Sequence, residues 1–255
     1  MFRKCLLIVG CIQKFKIHIL LFFLSALLCT SFIFQENNAQ DNRILSFIVD
    51  PNKQDLKLYW KDNKGEVLKN FANLQKFLEN NKQHLVFAMN AGMYKKDNTP
   101  QGLYIENHRL LAPLDTMSGA GNFYMKPNGV FYLTDENKGY VCQTANFKLN
   151  EHIKYATQSG PLLLIDGQIH AAFKDGSSNL NIRNGVGILP DGKIVFAMSK
   201  EEINFYDFAI YFKNMGCKNA LYLDGFVSRM YLPEKNWKQL DGNFGAMIGV
   251  TEEIK

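Results

Sequence analysis

From residue 44 onward, apolar residues come in short runs broken by turns rich in glycine, proline and asparagine. Runs over 44–49 and 56–60 predict strands, separated by a Pro51-Asn52 turn, and Lys64-Gly65 marks a second turn. A strand over 84–89 ends in Asn90-Ala91-Gly92-Met93-Tyr94. Between Gly102 and Gly139 the pattern predicts strands over 103–105, 123–125 and 130–133, an antiparallel arrangement. Residues 162–165 and 168–170 flank Asp166-Gly167, the mark of a two-residue hairpin, and 186–189 and 194–198 flank a longer loop. Only two stretches have helical spacing. One is Phe71, Leu74, Phe77 and Leu78. The other is Phe205, Phe208, Ala209 and Phe212, with Asn204 as N-cap and Gly216 as stop. A short buried strand over 220–223 meets Asp224-Gly225, and a last strand covers 245–250. The pattern predicts an α+β fold: a single domain with a largely antiparallel or mixed sheet core and a few helices.

The first 39 residues follow another pattern. Arg3, Lys4, Lys14 and Lys16 precede an apolar run over 17–34. A positive region before a hydrophobic one predicts a secretory signal. The run is also long enough for an uncleaved signal anchor. Cys29 allows a lipoprotein reading, which Leu27 and Leu28 argue against. All three readings place residues 40–255 outside the cytoplasm, in the periplasm or beyond, touching a membrane only through an uncleaved leader. Removing this leader lowers the formal charge from +5 to about +2, so neither nucleic acid nor an anionic membrane surface is called for. It also leaves two cysteines, Cys142 and Cys217, which could form one disulfide. The histidines outside the leader (His84, His108, His152 and His170) are scattered singly, so no metal site or cofactor is evident.

Four polar, glycine-bearing segments share one design at strand ends: Asn90 to Gly92, residues 157–161 with Gln158 and Ser159, residues 181–185 with Arg183 and Asn184, and Asp224-Gly225 through Ser228 to Arg229. Gathered at one sheet edge, they would present amides, hydroxyls, guanidiniums and a carboxylate. Amides and carboxylates suit sugar hydroxyls, and a guanidinium fork suits phosphate. Each segment also has an ordinary explanation. Asn90 could cap a turn, Asp-Gly could close a hairpin, and Arg183 could form a surface ion pair.

At these residues the chain resembles the phosphodiester glycosidase family, including its secreted bacterial members. The likeness covers most of the chain after about residue 84. It is carried by residues 87–94, 158–161, 183–188, Asp191 to Lys193, 203–209, 219–225 and 244–249. It departs at Phe226-Val227, where the family commonly continues Asp-Gly with two glycines before a serine.

The resemblance implies cleavage of a sugar-1-phosphodiester at the anomeric carbon. It makes Asp224 the essential carboxylate, with Arg183 on the phosphate and Arg229 a second candidate. Asn90, Gly92, Gln158, Ser159, Asn184, Gly225 and Ser228 would line the sugar and phosphate, and Glu106 is an unplaced second carboxylate. Two rivals stand beside it. A non-catalytic cell-envelope or polysaccharide-binding protein would keep the same cleft. A metal-dependent phosphodiesterase would need clustered carboxylates and histidines, which the motifs lack.

Overall fold

A computed structural model describes residues 41–224 and 227–254. The predicted leader, Gly225 and Phe226 lie outside the described residues. Sixteen strands and two α-helices fall within them. In chain order these are β1 (Ile44–Val49), β2 (Asp55–Tyr59), α1 (Phe71–Asn80), β3 (Gln83–Asn90), β4 (Tyr104–Glu106), β5 (Arg109–Ala112), β6 (Gly129–Thr134), β7 (Gly139–Gln143) and β8 (Ile153–Ser159). The second half holds β9 (Leu162–Ile165), β10 (Gln168–Ile169), β11 (Asn184–Ile188), β12 (Ile194–Ser199), α2 (Phe205–Asn214), β13 (Ala220–Tyr222), β14 (Met230–Leu232), β15 (Trp237–Lys238) and β16 (Met247–Glu253).

The strands form three sheets, ordered β1-β12-β11-β13-β9-β10, β15-β14-β3-β16-β2 and β5-β4-β8-β6-β7. Every pairing is antiparallel. The fold class is therefore the expected one, towards its β-rich end.

Period-two alternation explains how the sheets share one core. In β12, Ile194, Phe196 and Met198 face the central core, whereas Val195 and Ala197 face α2. Phe47 stacks on Phe87 at 4.6 Å, Phe87 on Phe196 at 5.5 Å, and Phe131 meets Phe196 edge-on at 5.8 Å. These four rings join all three sheets. The outer face of the first sheet is covered by Phe208, Ala209 and Phe212 of α2, and that of the second by Phe71, Leu74 and Leu78 of α1. Among the described residues the third sheet has no α-helix over it; Leu114 and Phe147 from loops pack on its outer face.

Helix α2 starts and stops as the sequence implies. Asn204 accepts a hydrogen bond from the Asp207 backbone N–H at 2.8 Å, and Gly216 sits just past the end of α2 at φ +81. The Asp166-Gly167 hairpin also forms, with positive φ at both residues.

Residues 122–124 depart from expectation, β8 has no counterpart in the predicted strands, and the possible disulfide does not form. Residues 122–124 form a 3-10 turn rather than a strand, set between Gly121 at positive φ and the turn before Pro127. Strand β8 lies at the centre of the third sheet but carries no apolar signature at its end, where Thr157, Gln158 and Ser159 are buried. The two cysteines are free: Cys142 packs on the third sheet and Cys217 under α2, in separate clusters. Burial pushes their thiols up to about 11 and about 12, so both stay protonated at neutral pH.

Candidate functional site

The four glycine-bearing segments meet. Asn90 ends β3, Ser159 ends β8, Asn184 starts β11, and Asp224 follows β13. The Asn184 side-chain amide donates to the Asn90 carbonyl at 3.1 Å. The Asn90 amide donates to the Asp224 carbonyl at 3.4 Å, and its side-chain oxygen accepts from the Arg229 backbone N–H at 2.9 Å. Ser159 Oγ donates to the Leu223 carbonyl at 2.8 Å. Ser228 Oγ lies 3.0 Å from the Asp224 carbonyl and 3.2 Å from that of Ile182. The Leu223 backbone N–H donates to the Asn184 carbonyl at 3.1 Å.

These bonds converge on the backbone of residues 223 and 224. Buried polar groups need partners, and here the strand ends supply most of them to one another, with Asn184 Oδ1 left without one among the described residues. The result is a clamp that fixes the position of Asp224, which is 5% exposed. Side chains expected to face substrate are thus committed to holding the carboxylate's backbone.

Gln158 is displaced furthest from its expected role. Its oxygen accepts from the backbone N–H of Leu103 and of Asp115, at 3.0 and 2.9 Å. Its nitrogen donates to the Asp115 carbonyl at 2.6 Å and to Thr144 Oγ1 at 3.3 Å. With this capacity filled and no exposed surface, Gln158 ties the loop at Asp115 to the third sheet. Gly92 has a steric reason. Its N–H donates to Thr157 Oγ1 at 3.2 Å, and an added Cβ would lie 2.3 Å from the Gln158 carbonyl oxygen.

The two arginines have different surroundings. Arg183, expected to hold phosphate, has no exposed surface. Its Nε donates to the Ile203 carbonyl at 2.8 Å and its Nη2 to that of Asn179 at 2.7 Å. The guanidinium lies 3.6 Å from the Phe205 ring centre and 5.6 Å from that of Tyr222. Burial lowers its pKa from the usual 12.5, and the Tyr222 hydroxyl opposes that shift. The guanidinium is buried, and its Nη1 has no hydrogen-bond partner among the described residues. Arg229 is partly exposed and pairs with Asp241, Nη2 to Oδ2 at 3.0 Å.

Two tyrosines missed by motif reading stand near Asp224. Burial, and then the Asp224 charge, push Tyr94 up to about 12. Burial also pushes Tyr222 up to about 12; Arg183 works against that shift and Asp224 adds to it. Tyr94 lay within the quoted motif at 87–94, so its position was visible but its role was not. Val227 turns towards the cluster of Phe71 and Phe244, which Tyr94 also joins. Phe226 and Gly225 lie outside the described residues.

Glu106 is not part of this site. It lies beside Tyr155 at the other end of β8, and Tyr155 is about 13 Å along that strand from Ser159 at the usual rise per residue. A catalytic carboxylate pair needs a separation of roughly 5 to 9.5 Å. His170 is buried and neutral: burial lowers its pKa, Nε2 faces the Lys126 carbonyl, and Nδ1 accepts from the Ala172 N–H.

The fold and this clamp define a class. A family model described as phosphodiester glycosidase matches residues 83–250, and the chain belongs to that family. It is similar to Uncharacterized protein YigE of Escherichia coli (strain K12), 38% identical over 192 residues, or 74% of each chain. Among solved structures, its fold matches the catalytic domain of zebrafish N-acetylglucosamine-1-phosphodiester alpha-N-acetylglucosaminidase, auto-inhibited by its pro-peptide. That match has a TM-score of 0.58 at 14% identity, over 85% of this chain and 86% of that one. A protein from Burkholderia pseudomallei K96243 matches with a TM-score of 0.53 at 10% identity, over 81% and 73% of the two chains.

Proposed function

We propose that this protein is an exported hydrolase that cleaves a glycosyl phosphodiester at the anomeric carbon. The observation that carries the reading is the clamp from Asn90, Ser159, Asn184 and Ser228 onto residues 223 and 224. A reacting carboxylate needs a fixed position, and a shell of hydrogen bonds on its backbone provides one. In the proposed step the bond between C1 and the phosphate oxygen breaks, and the phosphate leaves with the electron pair. Water supplies the hydroxyl to C1 and gives up its remaining proton to solvent. Asp224 faces the positive charge that develops on the sugar. Phosphate leaves readily, so the site needs less acid assistance than that of an ordinary glycosidase.

Arg229 is the better placed arginine for the phosphate. Its pair with Asp241 is exposed, and such pairs are worth little, so a phosphate can compete for the guanidinium. Arg183 acts behind the site, bracing Tyr222 beside β11. The predicted leader at 1–39 would carry the chain out of the cytoplasm.

The test is to incubate purified protein with α- and β-linked sugar-1-phosphodiesters and assay free sugar, with Asp224→Asn beside it. Release by the wild type, reduced on the order of a hundredfold or more in the variant, supports the reading. Folded protein that releases sugar from no member of the panel defeats it. The bulky Phe226-Val227 pair, where the family commonly has glycines, would then favour a non-catalytic glycan-binding role.

A further inference from the structure

A separate cavity of about 770 Å³ opens where β2, the edge strand of the second sheet, meets β4 and β8 of the third. Its lining includes Trp60, Tyr155, Glu106, Lys61, Arg109 and Lys154. Glu106 is half-buried there and accepts from Tyr104 Oη at 2.6 Å. Arg109 lies close enough for its charge to act on that carboxylate. Lys61 Nζ sits 4.2 Å from the Trp60 ring centre and Lys154 Nζ 5.7 Å from that of Tyr155. Each ammonium group thus sits against a ring that also lines the cavity. Among the described residues, Lys61, Arg109 and Lys154 form no ion pair.

We infer that this cavity is a second ligand site, for a phosphorylated sugar. Lys61 and Lys154, without ion pairs among the described residues, and Arg109 beside Glu106 supply more positive charge than the lining carboxylates Glu106 and Asp62 offset, which suits a phosphate. Glu106, an acceptor when ionised, suits the donor hydroxyls of a sugar. An anion without hydroxyls would leave Glu106 facing it with like charge. A neutral sugar would leave the cations unused. The inference rests on the chemistry of this cavity and stands whether or not Asp224 is catalytic.

Trp60 gives a direct readout. The chain has two tryptophans, so Trp237→Phe leaves Trp60 as the only indole. The probes are glucose 1-phosphate, glucose and inorganic phosphate, titrated at millimolar concentrations by fluorescence and by calorimetry. The expected result is saturable binding of glucose 1-phosphate that changes Trp60 emission and exceeds the response to either fragment. Affinity should fall about tenfold or more in Arg109→Ala/Lys154→Ala. Both changes are at the surface, and circular dichroism checks that the variant folds. Binding should persist in Asp224→Asn, which separates this site from the proposed catalytic one.

The inference is overturned if glucose 1-phosphate shows neither heat nor emission change. It is equally overturned if the double variant binds as well as its parent, if inorganic phosphate binds as tightly as the sugar phosphate, or if Asp224→Asn abolishes the signal.

Discussion

Asp224 and Glu106 are both carboxylates drawn away from solvent at the ends of strands, and the fold supports them in different ways. Asp224 follows a central strand of the first sheet, and side chains from three other strand ends or their loops bond to the backbone around it. Glu106 ends β4 near the edge of the third sheet, bonded at its side chain by Tyr104 and faced by the Arg109 charge. Backbone clamping fixes where a carboxylate is; surrounding cations set what it can share a pocket with. The first arrangement suits a group that must meet a transition state, the second a group that selects a ligand.

The sharpest way to break this comparison is to neutralise each carboxylate in turn. Asp224→Asn should lower sugar release on the order of a hundredfold to a thousandfold, whereas Glu106→Gln should leave turnover within a fewfold of wild type. Equal losses in the two variants would erase the distinction. Next in size is Arg183→Met, read by denaturant unfolding. It removes the donors to the Ile203 and Asn179 carbonyls and the stack on Phe205, so stability should fall by about 2 to 3 kcal/mol. A neutral result would show that Arg183 does not brace the strands behind Asp224.

Asn90→Ala should have a smaller effect. It removes one donor and one acceptor from the clamp, and should lower stability by about 1 to 2 kcal/mol. Turnover number should drop about tenfold while KM changes little, because a displaced carboxylate weakens the transition state more than the bound substrate. A change in KM alone would make Asn90 a substrate contact.

The smallest effect is a pH dependence. Burial raises the Glu106 pKa above 4.5, against the opposing effects of Tyr104 and Arg109. Its ionisation therefore opposes folding. The penalty is absent below the unfolded pKa and complete above the folded one. Glu106→Gln should raise Tm relative to wild type at pH 7, and the difference should shrink on approaching pH 4. A difference independent of pH would mean that the Glu106 charge does not weigh on folding.

Much of this was legible from residue order. Alternating apolar runs gave β1, β3, β6, β9 and β12, because those strands put one face or both into a core. The caps of α2 and the Asp166-Gly167 turn follow from local chemistry that acts within a few residues. The four polar segments could be recognised as belonging together, since glycine beside an amide or carboxylate at a strand end is a local pattern.

Their partners could not be read. Gln158 looks like a ligand-binding amide until the chain brings Asp115 and Leu103 to it, and Arg183 looks available until Phe205 and Tyr222 cover it. The end of β8 was hidden for the same reason: its polar side chains are buried because distant backbone groups satisfy them. The sequence by itself determined the strand-rich α+β architecture and the ends of α2, and it singled out Asp224 as a candidate carboxylate. Tertiary structure alone decided which polar residues clamp that carboxylate, which arginine is exposed, and that Glu106 belongs to another cavity. Hydropathy and turn signals act between neighbours in the chain, whereas hydrogen-bond satisfaction and burial are settled between groups far apart in sequence.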